Sequence, residues 1–285
     1  MIPRAEPFFL DAGPGQRFCL FQAPAGACRG ALVYVHPFGD EMNKARRMAA
    51  LTARALAARG IGVLQVDLYG CGDSSGDFAD ARWEIWLADL EAARAWLAAR
   101  LGVAPGLWGL RLGGLLALDF AQRCPHPVPD IVLWQPVQQG SAYLKQFLRL
   151  LSVNEMLAQP ENEQSKAASN TGALRAALLG GQALEVAGYE LAPELGAAID
   201  ALDGAKLAPR AARVHWFEMA TAPDRPLPPA TTRLAAAWRE GGCDLRLQQI
   251  VGQQFWATQE ISESAELAEA TCAALEAAAP IEETA

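Results

Sequence analysis

Histidine is scarce in this chain. There are three in 285 residues, His36, His126 and His215, and none beyond His215. Imidazole is the usual general base near neutral pH, so chemistry that depends on one has few candidates here. The six cysteines (Cys19, Cys28, Cys71, Cys124, Cys243, Cys272) form no CxxC pair and keep no regular spacing. That pattern disfavours a disulfide framework or zinc ribbon and suits buried thiols in a reducing compartment. No apolar run reaches the ~18 residues of a membrane span. Met1–Glu6 lack a charged segment followed by an apolar core, so a cytoplasmic location is the expectation. Lys and Arg number 24 against 32 Asp and Glu, a net charge of −8, which argues against nucleic acid or an anionic membrane surface as main partner. With no HExxH and no His/Asp cluster, neither a metal nor a cofactor is expected.

What is present is a large apolar fraction, 52%, enough for one sizeable α/β core with an insertion. Phe8–Leu10 and Arg17–Phe21, split by Gly13-Pro14-Gly15, predict an antiparallel hairpin. Buried strands are expected at Ala31–Val35, Ile61–Val66 and Ile131–Trp134, each a continuous apolar run. Helices fall between them at about 42–59 and 81–100; Trp83, Trp86, Leu87, Leu90 and Leu97 lie at helical spacing, so these tryptophans read as core. Alternation of this kind means a mostly parallel sheet covered on both faces. It breaks after Val137. Helices at 141–158, 173–179 and from Pro193, with a polar stretch at 159–172, predict an inserted, mainly helical lid. The core resumes with strands at 214–219 and 245–251 and helices near 229–240 and 263–277. The domain plan is therefore core 1–137, lid 138–208, core 209–285. The acidic Glu282-Glu283 reads as a solvated end.

The centre of this plan is Trp108-Gly109-Leu110-Arg111-Leu112-Gly113-Gly114. A strand turning sharply into a helix through Gly-x-Ser-x-Gly is the nucleophile elbow of α/β-hydrolases. Gly109 and Gly113 hold that frame, but the nucleophile position carries Arg111, whose guanidinium stays protonated.

The order of motifs extends the resemblance over nearly the whole chain, and the α/β-hydrolase fold is what it implies. HPFGDEMNKARRM, DLYGCGDSSGDF, LWGLRLGG and LWQPV together resemble the exosortase A system-associated hydrolase 2 family, found near bacterial exosortase and exopolysaccharide genes. The resemblance places an oxyanion loop at Pro37-Phe38-Gly39, with the N–H of Leu112 as second donor. It places a triad acid at Asp224, with Glu218 second, although Asp224 in Pro-Asp-Arg-Pro also reads as a turn residue. It places the base after the last strand, where Gln253-Gln254-Phe255-Trp256 offers no histidine. His36 reads as a hydrogen-bonded structural residue, His126 as part of a surface turn, and His215 as a core residue inside a strand. In the resembled fold the DxxGxGxS stretch is a turn, so Cys71, Ser74 and Ser75 read as structural. Lys44, Arg46 and Arg47 read as a solvated helix face, with anion recognition as the alternative.

The degenerate triad positions are thus Arg111, Asp224 and Gln254. The candidate ligand contacts at the same sheet edge are Arg111, Leu112, His36, Phe38, Gly39, Gln135 and Trp256. Arg111 either holds an anion at a helix N-terminus or pairs internally with Asp73, Glu218 or Asp224. Three function classes follow: a non-hydrolytic α/β-hydrolase-fold protein binding an anionic small molecule, an acyl compound or a protein partner of an exosortase or exopolysaccharide system; a hydrolase or acyltransferase acting on an ester or thioester through a non-standard site; and a protein-binding scaffold.

Overall fold

The computed structural model describes residues 4–125, 128–158, 171–207 and 213–276, with the backbone alone at 152–158. His126, most of the polar 159–172 stretch and the acidic end lie outside the described residues. Strands β1 (Glu6–Asp11) and β2 (Gln16–Gln22) form the expected hairpin, and β2 pairs antiparallel with β4 (Ile61–Val66). From there the sheet is parallel through β3 (Gly30–Val35), β5 (Gly106–Leu110), β6 (Asp130–Trp134), β9 (Arg213–Ala220) and β10 (Asp244–Val251). The order across its eight strands is β1-β2-β4-β3-β5-β6-β9-β10. This is the mostly parallel sheet that the alternation of strands and helices implied, in the α/β-hydrolase arrangement that the resemblance implied.

Successive strand residues point to opposite faces, and the central strands are apolar on both because helices cover both. Leu32, Tyr34, Trp108, Leu110, Val132 and Trp134 share one cluster with α1 (Asp40–Ala58) and α8 (Ala265–Glu276). Val33, Val35, Leu107, Ile131 and Leu133 join the other, with α2 (Trp83–Leu101), α3 (Leu112–Arg123) and α7 (Pro229–Glu240). Trp83 and Trp86 are buried in it, as their spacing implied. The indole of Trp108 packs between Tyr34 and Trp134, with ring centroids 4.5 and 4.6 Å away. Burying side chains of this size contributes roughly 1.5–3 kcal/mol each. Edge strand β10 alternates instead, since one of its faces meets solvent.

Between β6 and β9 the chain leaves the sheet. It forms α4 (Gly140–Ala158), α5 (Thr171–Leu179), a two-stranded hairpin β7 (Leu184–Val186) and β8 (Tyr189–Leu191), and α6 (Pro193–Ala201). The hairpin turn at Ala187-Gly188 has positive φ at both residues, 51° and 84°, the geometry that suits the twist of a tight two-residue hairpin. Along α4, Tyr143, Phe147 and Leu150 lie three or four residues apart, so they form one stripe facing the sheet edge.

The sheet reverses direction at β3, which has β4 on one side and β5 on the other. Such a switch point leaves a crevice at the C-terminal ends of the two diverging strands. The loop His36–Gly39 leaves β3 there, and the elbow at Arg111 leaves β5.

Candidate functional site

The elbow is built as the sequence pattern implied. Arg111 has φ 55° and ψ −119°, a conformation that costs about 1–3 kcal/mol for a residue with a Cβ. Neighbouring bonds hold it there: its N–H donates to the Trp134 carbonyl at 3.0 Å, and its own carbonyl accepts from Gly114 and Val137. The flanking glycines are steric requirements. A Cβ on Gly109 would lie 2.5 Å from the Gly114 backbone, and one on Gly113 would lie 2.3 Å from the Val35 carbonyl. Gln135, leaving β6, is a second non-glycine residue at positive φ (41°) beside the same crevice.

The Arg111 guanidinium meets Glu41, in the first turn of α1, through Nε at 3.3 Å. Its rim is the ring of Tyr143 at 5.7 Å and that of Trp256 at 5.6 Å. Among the described residues the terminal nitrogens of Arg111 have no hydrogen-bond partner. The Tyr143 hydroxyl donates to the other Glu41 oxygen at 3.3 Å. Burial pushes the Glu41 carboxyl above the usual range, against the Arg111 charge and these hydrogen bonds. Of the two alternatives for Arg111, internal pairing names Asp73, Glu218 or Asp224 as partner; the carboxylate it meets is Glu41 instead. Asp73 and Asp224 lie exposed on turns.

Glu218 is the buried acid next to the elbow, so the order of preference between the two candidate acids reverses. Asp224 is the turn residue that Pro-Asp-Arg-Pro suggested, because nothing in the crevice draws its carboxylate inward. Glu218 accepts from Gln135 Nε2 at 2.9 Å, Trp216 Nε1 at 2.8 Å and Thr231 Oγ1 at 3.3 Å. Burial raises its carboxyl, although those three donors and the Arg111 charge pull the other way. Gln135 is fully used, its carbonyl oxygen accepting from Met219 N at 2.6 Å. Gln254 is exposed in the loop after β10 and lines, with Glu218 and Gln135, a cleft of about 130 Å³.

Arg111, Gln135, Glu218, Tyr143 and Thr231 line a crevice of about 620 Å³. Phe38 and Trp256 line a separate chamber of about 220 Å³. The remaining candidates are placed elsewhere. His36, Gly39 and Leu112 line a void of about 10 Å³, together with Phe38, whose ring packs on Phe147, Phe78, Trp86 and Tyr143 and also lines the chamber. Such a void has room for about one water. His36 as a ligand contact is corrected: its Nδ1 faces the Pro37 carbonyl at 2.7 Å and its Nε2 accepts from Leu68 N at 3.2 Å, which fixes a neutral imidazole. Burial lowers its basicity further. His215 is buried in β9, with Asp130 Oδ1 3.5 Å from Nε2 and, among the described residues, neither nitrogen in a hydrogen bond.

The other sequence candidates are scaffold. Ser74 Oγ donates to the Asp67 carbonyl and accepts from Phe18 N, and Ser75 Oγ accepts from Gln16 N. Burial pushes the Cys71 thiol far up, so it is no thiolate. Lys44, Arg46 and Arg47 pair with Asp40, Asp67 and Glu263, so that helix face carries internal ion pairs and not an anion site. All six cysteines are free. Among the described residues there is no metal-ligating cluster and no helix long and apolar enough to cross a membrane.

A family model described as serine aminopeptidase, S33, matches residues 26–175, just over half of the chain and all of the elbow region. The chain belongs to this S33 family. Solved structures agree on the fold: a Butyrivibrio proteoclasticus Est1E bound to ferulic acid (TM-score 0.65, 16% identity, 95% of this chain and 96% of that one) and a soluble variant of the Saccharomyces cerevisiae monoglyceride lipase with a substrate analogue (0.64, 14%, 98% and 97%). A Mycobacterium smegmatis proline iminopeptidase is similar at TM-score 0.59 and 15% identity over 96% of this chain and 98% of its own. Identities this low speak for the fold alone. No curated protein matches the sequence.

Glu41 and Tyr143 are the residues that reasoning from sequence missed. Glu41 follows the HPFG loop and looked like an ordinary acidic residue at a helix start. Its pairing with Arg111, seventy positions away, has no signal in the local pattern.

Proposed function

We propose that this S33-family chain is a non-hydrolytic α/β-hydrolase-fold protein that holds an anionic ligand on Arg111. One observation carries the reading: a permanent cation stands at the elbow, bonded through Nε alone, with its terminal nitrogens free beside a 620 Å³ crevice. A guanidinium cannot attack a carbonyl, and its planar fork suits carboxylate or phosphate. It also stands at the start of α3, where first-turn N–H groups lack acceptors in their own helix and favour negative charge. The loop after β10 offers Gln254 where an imidazole would be needed, and Glu218 is committed to Gln135, Trp216 and Thr231. The segment 138–208 acts in this reading as a lid, since α4 supplies Tyr143 to the crevice. Resemblance of its motifs to the exosortase A system-associated hydrolase 2 family supports a role beside exosortase or exopolysaccharide machinery.

Two measurements test it. Fluorophosphonate probes should label no serine of the wild-type protein, and Arg111→Ser should remain unlabelled because it lacks a base. Turnover of a simple ester at ~1–10³ s⁻¹ would replace this reading with hydrolysis through a non-standard site. Wild-type protein should melt higher in millimolar acetate or inorganic phosphate than in matched chloride, and Arg111→Gln should not respond. A flat wild-type response would mean that Arg111 only braces Glu41.

A further inference from the structure

The 620 Å³ crevice and the 220 Å³ chamber have one wall in common. Tyr143 and Gln146 line both cavities; Arg111 lines the crevice and Glu41, its ion-pair partner, lines the chamber. The linings differ in kind. The crevice presents amides and charges, among them Gln138, Gln139, Gln146, Asp203 and Arg233. The chamber is walled mainly by Phe38, Phe147, Leu150, Tyr189, Trp256 and Ala257. On that wall Arg111 meets Glu41 at 3.3 Å through one nitrogen, and Tyr143 bonds Glu41 at the same length.

Resting on the reading of Arg111 as an anion holder, we propose that the ligand is an anionic amphiphile. Its carboxylate or phosphate displaces Glu41 from Arg111, its tail enters the aromatic chamber, and any further polar group extends into the crevice. Glu41 is then the internal competitor for the ligand's anion. The geometry supports this because the guanidinium lines one cavity, the carboxylate that touches it lines the other, and Tyr143, bonded to that carboxylate, lines both. A second support is that Glu41 is easily neutralised, its carboxyl already being raised by burial. The charged and titratable groups around it are Arg111 from the elbow, Tyr143 from α4, and Lys44 and Asp40 from α1, the last two paired with each other at 2.8 Å. Removing the Arg111 charge from that set leaves a buried carboxylate that takes up a proton.

Calorimetric titration of the full chain with acetate, octanoate, inorganic phosphate and octyl phosphate, below their micellar concentrations, tests the proposal. Each octyl compound should bind at least tenfold tighter than its short counterpart. Ala257→Trp, which fills the chamber from an exposed position, should bring octanoate down to the affinity of acetate while acetate binding persists. As pH falls, wild type should bind octanoate more tightly until octanoate itself takes up a proton; Glu41→Gln should tighten octanoate severalfold and lack that pH dependence. Equal affinity for long and short anions, or an octyl preference that survives both Ala257→Trp and Leu150→Trp, overturns the amphiphile assignment and leaves the anion site standing. An unchanged affinity in Glu41→Gln overturns the displacement step. Binding of none of the four compounds ends the Arg111 reading itself, and this inference with it.

Discussion

Two glycine-rich loops hang from the same sheet edge, one after β4 and one after β5, and they treat charge in opposite ways. After β4, both oxygens of Asp67 accept from Arg46, at 3.2 and 2.9 Å, and Oδ2 also accepts from Asp73 N. A Cβ on Gly72 would fall 2.0 Å from that carboxylate, so even the turn's shape depends on it. Beneath the loop, Asp89 accepts from Arg17 Nε at 2.7 Å and from Tyr69 N at 2.8 Å, with both side chains of the ion pair fully buried. After β5, Arg111 holds Glu41 by a single nitrogen beside open space. A charge sealed in with its counter-ion is scaffold, even where one nitrogen such as Arg17 Nη2 goes unpaired among the described residues, because rearranging it leaves a buried ion uncompensated. One that borders open space is available to something else.

The contrast can be broken most forcefully at the buried anchor. Asp89→Ala leaves Arg17 uncompensated and should cost about 3–5 kcal/mol of unfolding free energy in urea titration. A loss below about 1 kcal/mol would show that the β4 loop does not depend on this pair. Asp67→Asn is next: it removes the charge of a carboxylate that accepts three hydrogen bonds and should cost about 1–3 kcal/mol. Its anion response should match wild type, since Asp67 belongs to the closed loop; a lost response would mean that the two loops act as one unit.

The smallest effect concerns pH and sharpens the comparison from the open side. The ordinary value for a glutamate carboxyl is 4.5, and Glu41 and Glu218 both titrate above it in the fold. Between the ordinary and folded values the native state binds more protons than the unfolded chain, so stability must fall as pH rises through that window. Glu41→Gln should flatten part of this slope, by less than about 1 kcal/mol because its side chain is partly exposed to screening water. Melting curves taken across that range would show it, and a slope identical in wild type and variant would remove Glu41 as a contributor.

The fold was legible almost throughout. Apolar runs marked β3, β4 and β6, and proline at the first turn of α6 marked where that helix starts. The elbow was legible too, because Gly109 and Gly113 answer to a local steric need that any sequence solving it must show. Legibility declined with distance along the chain. Leu184–Leu191 formed a separate two-stranded hairpin that its sequence had not marked, and His36, which sits beside the elbow loop, was turned inward by one neighbouring carbonyl and one remote amide.

By itself, then, the sequence determined the strands and helices and the cation at the elbow, since each depends on residues within a few positions of one another; the strand order and its switch point came with the pairing of distant strands. Only the tertiary structure decided what that cation faces. Glu41, Tyr143 and Trp256 come from α1, α4 and the loop after β10, and they reach Arg111 because four separate elements close over the same strand ends. The division of the space there into a polar crevice and an aromatic chamber has the same origin: side-chain volume and charge meet across the fold, and no periodicity in the chain records where.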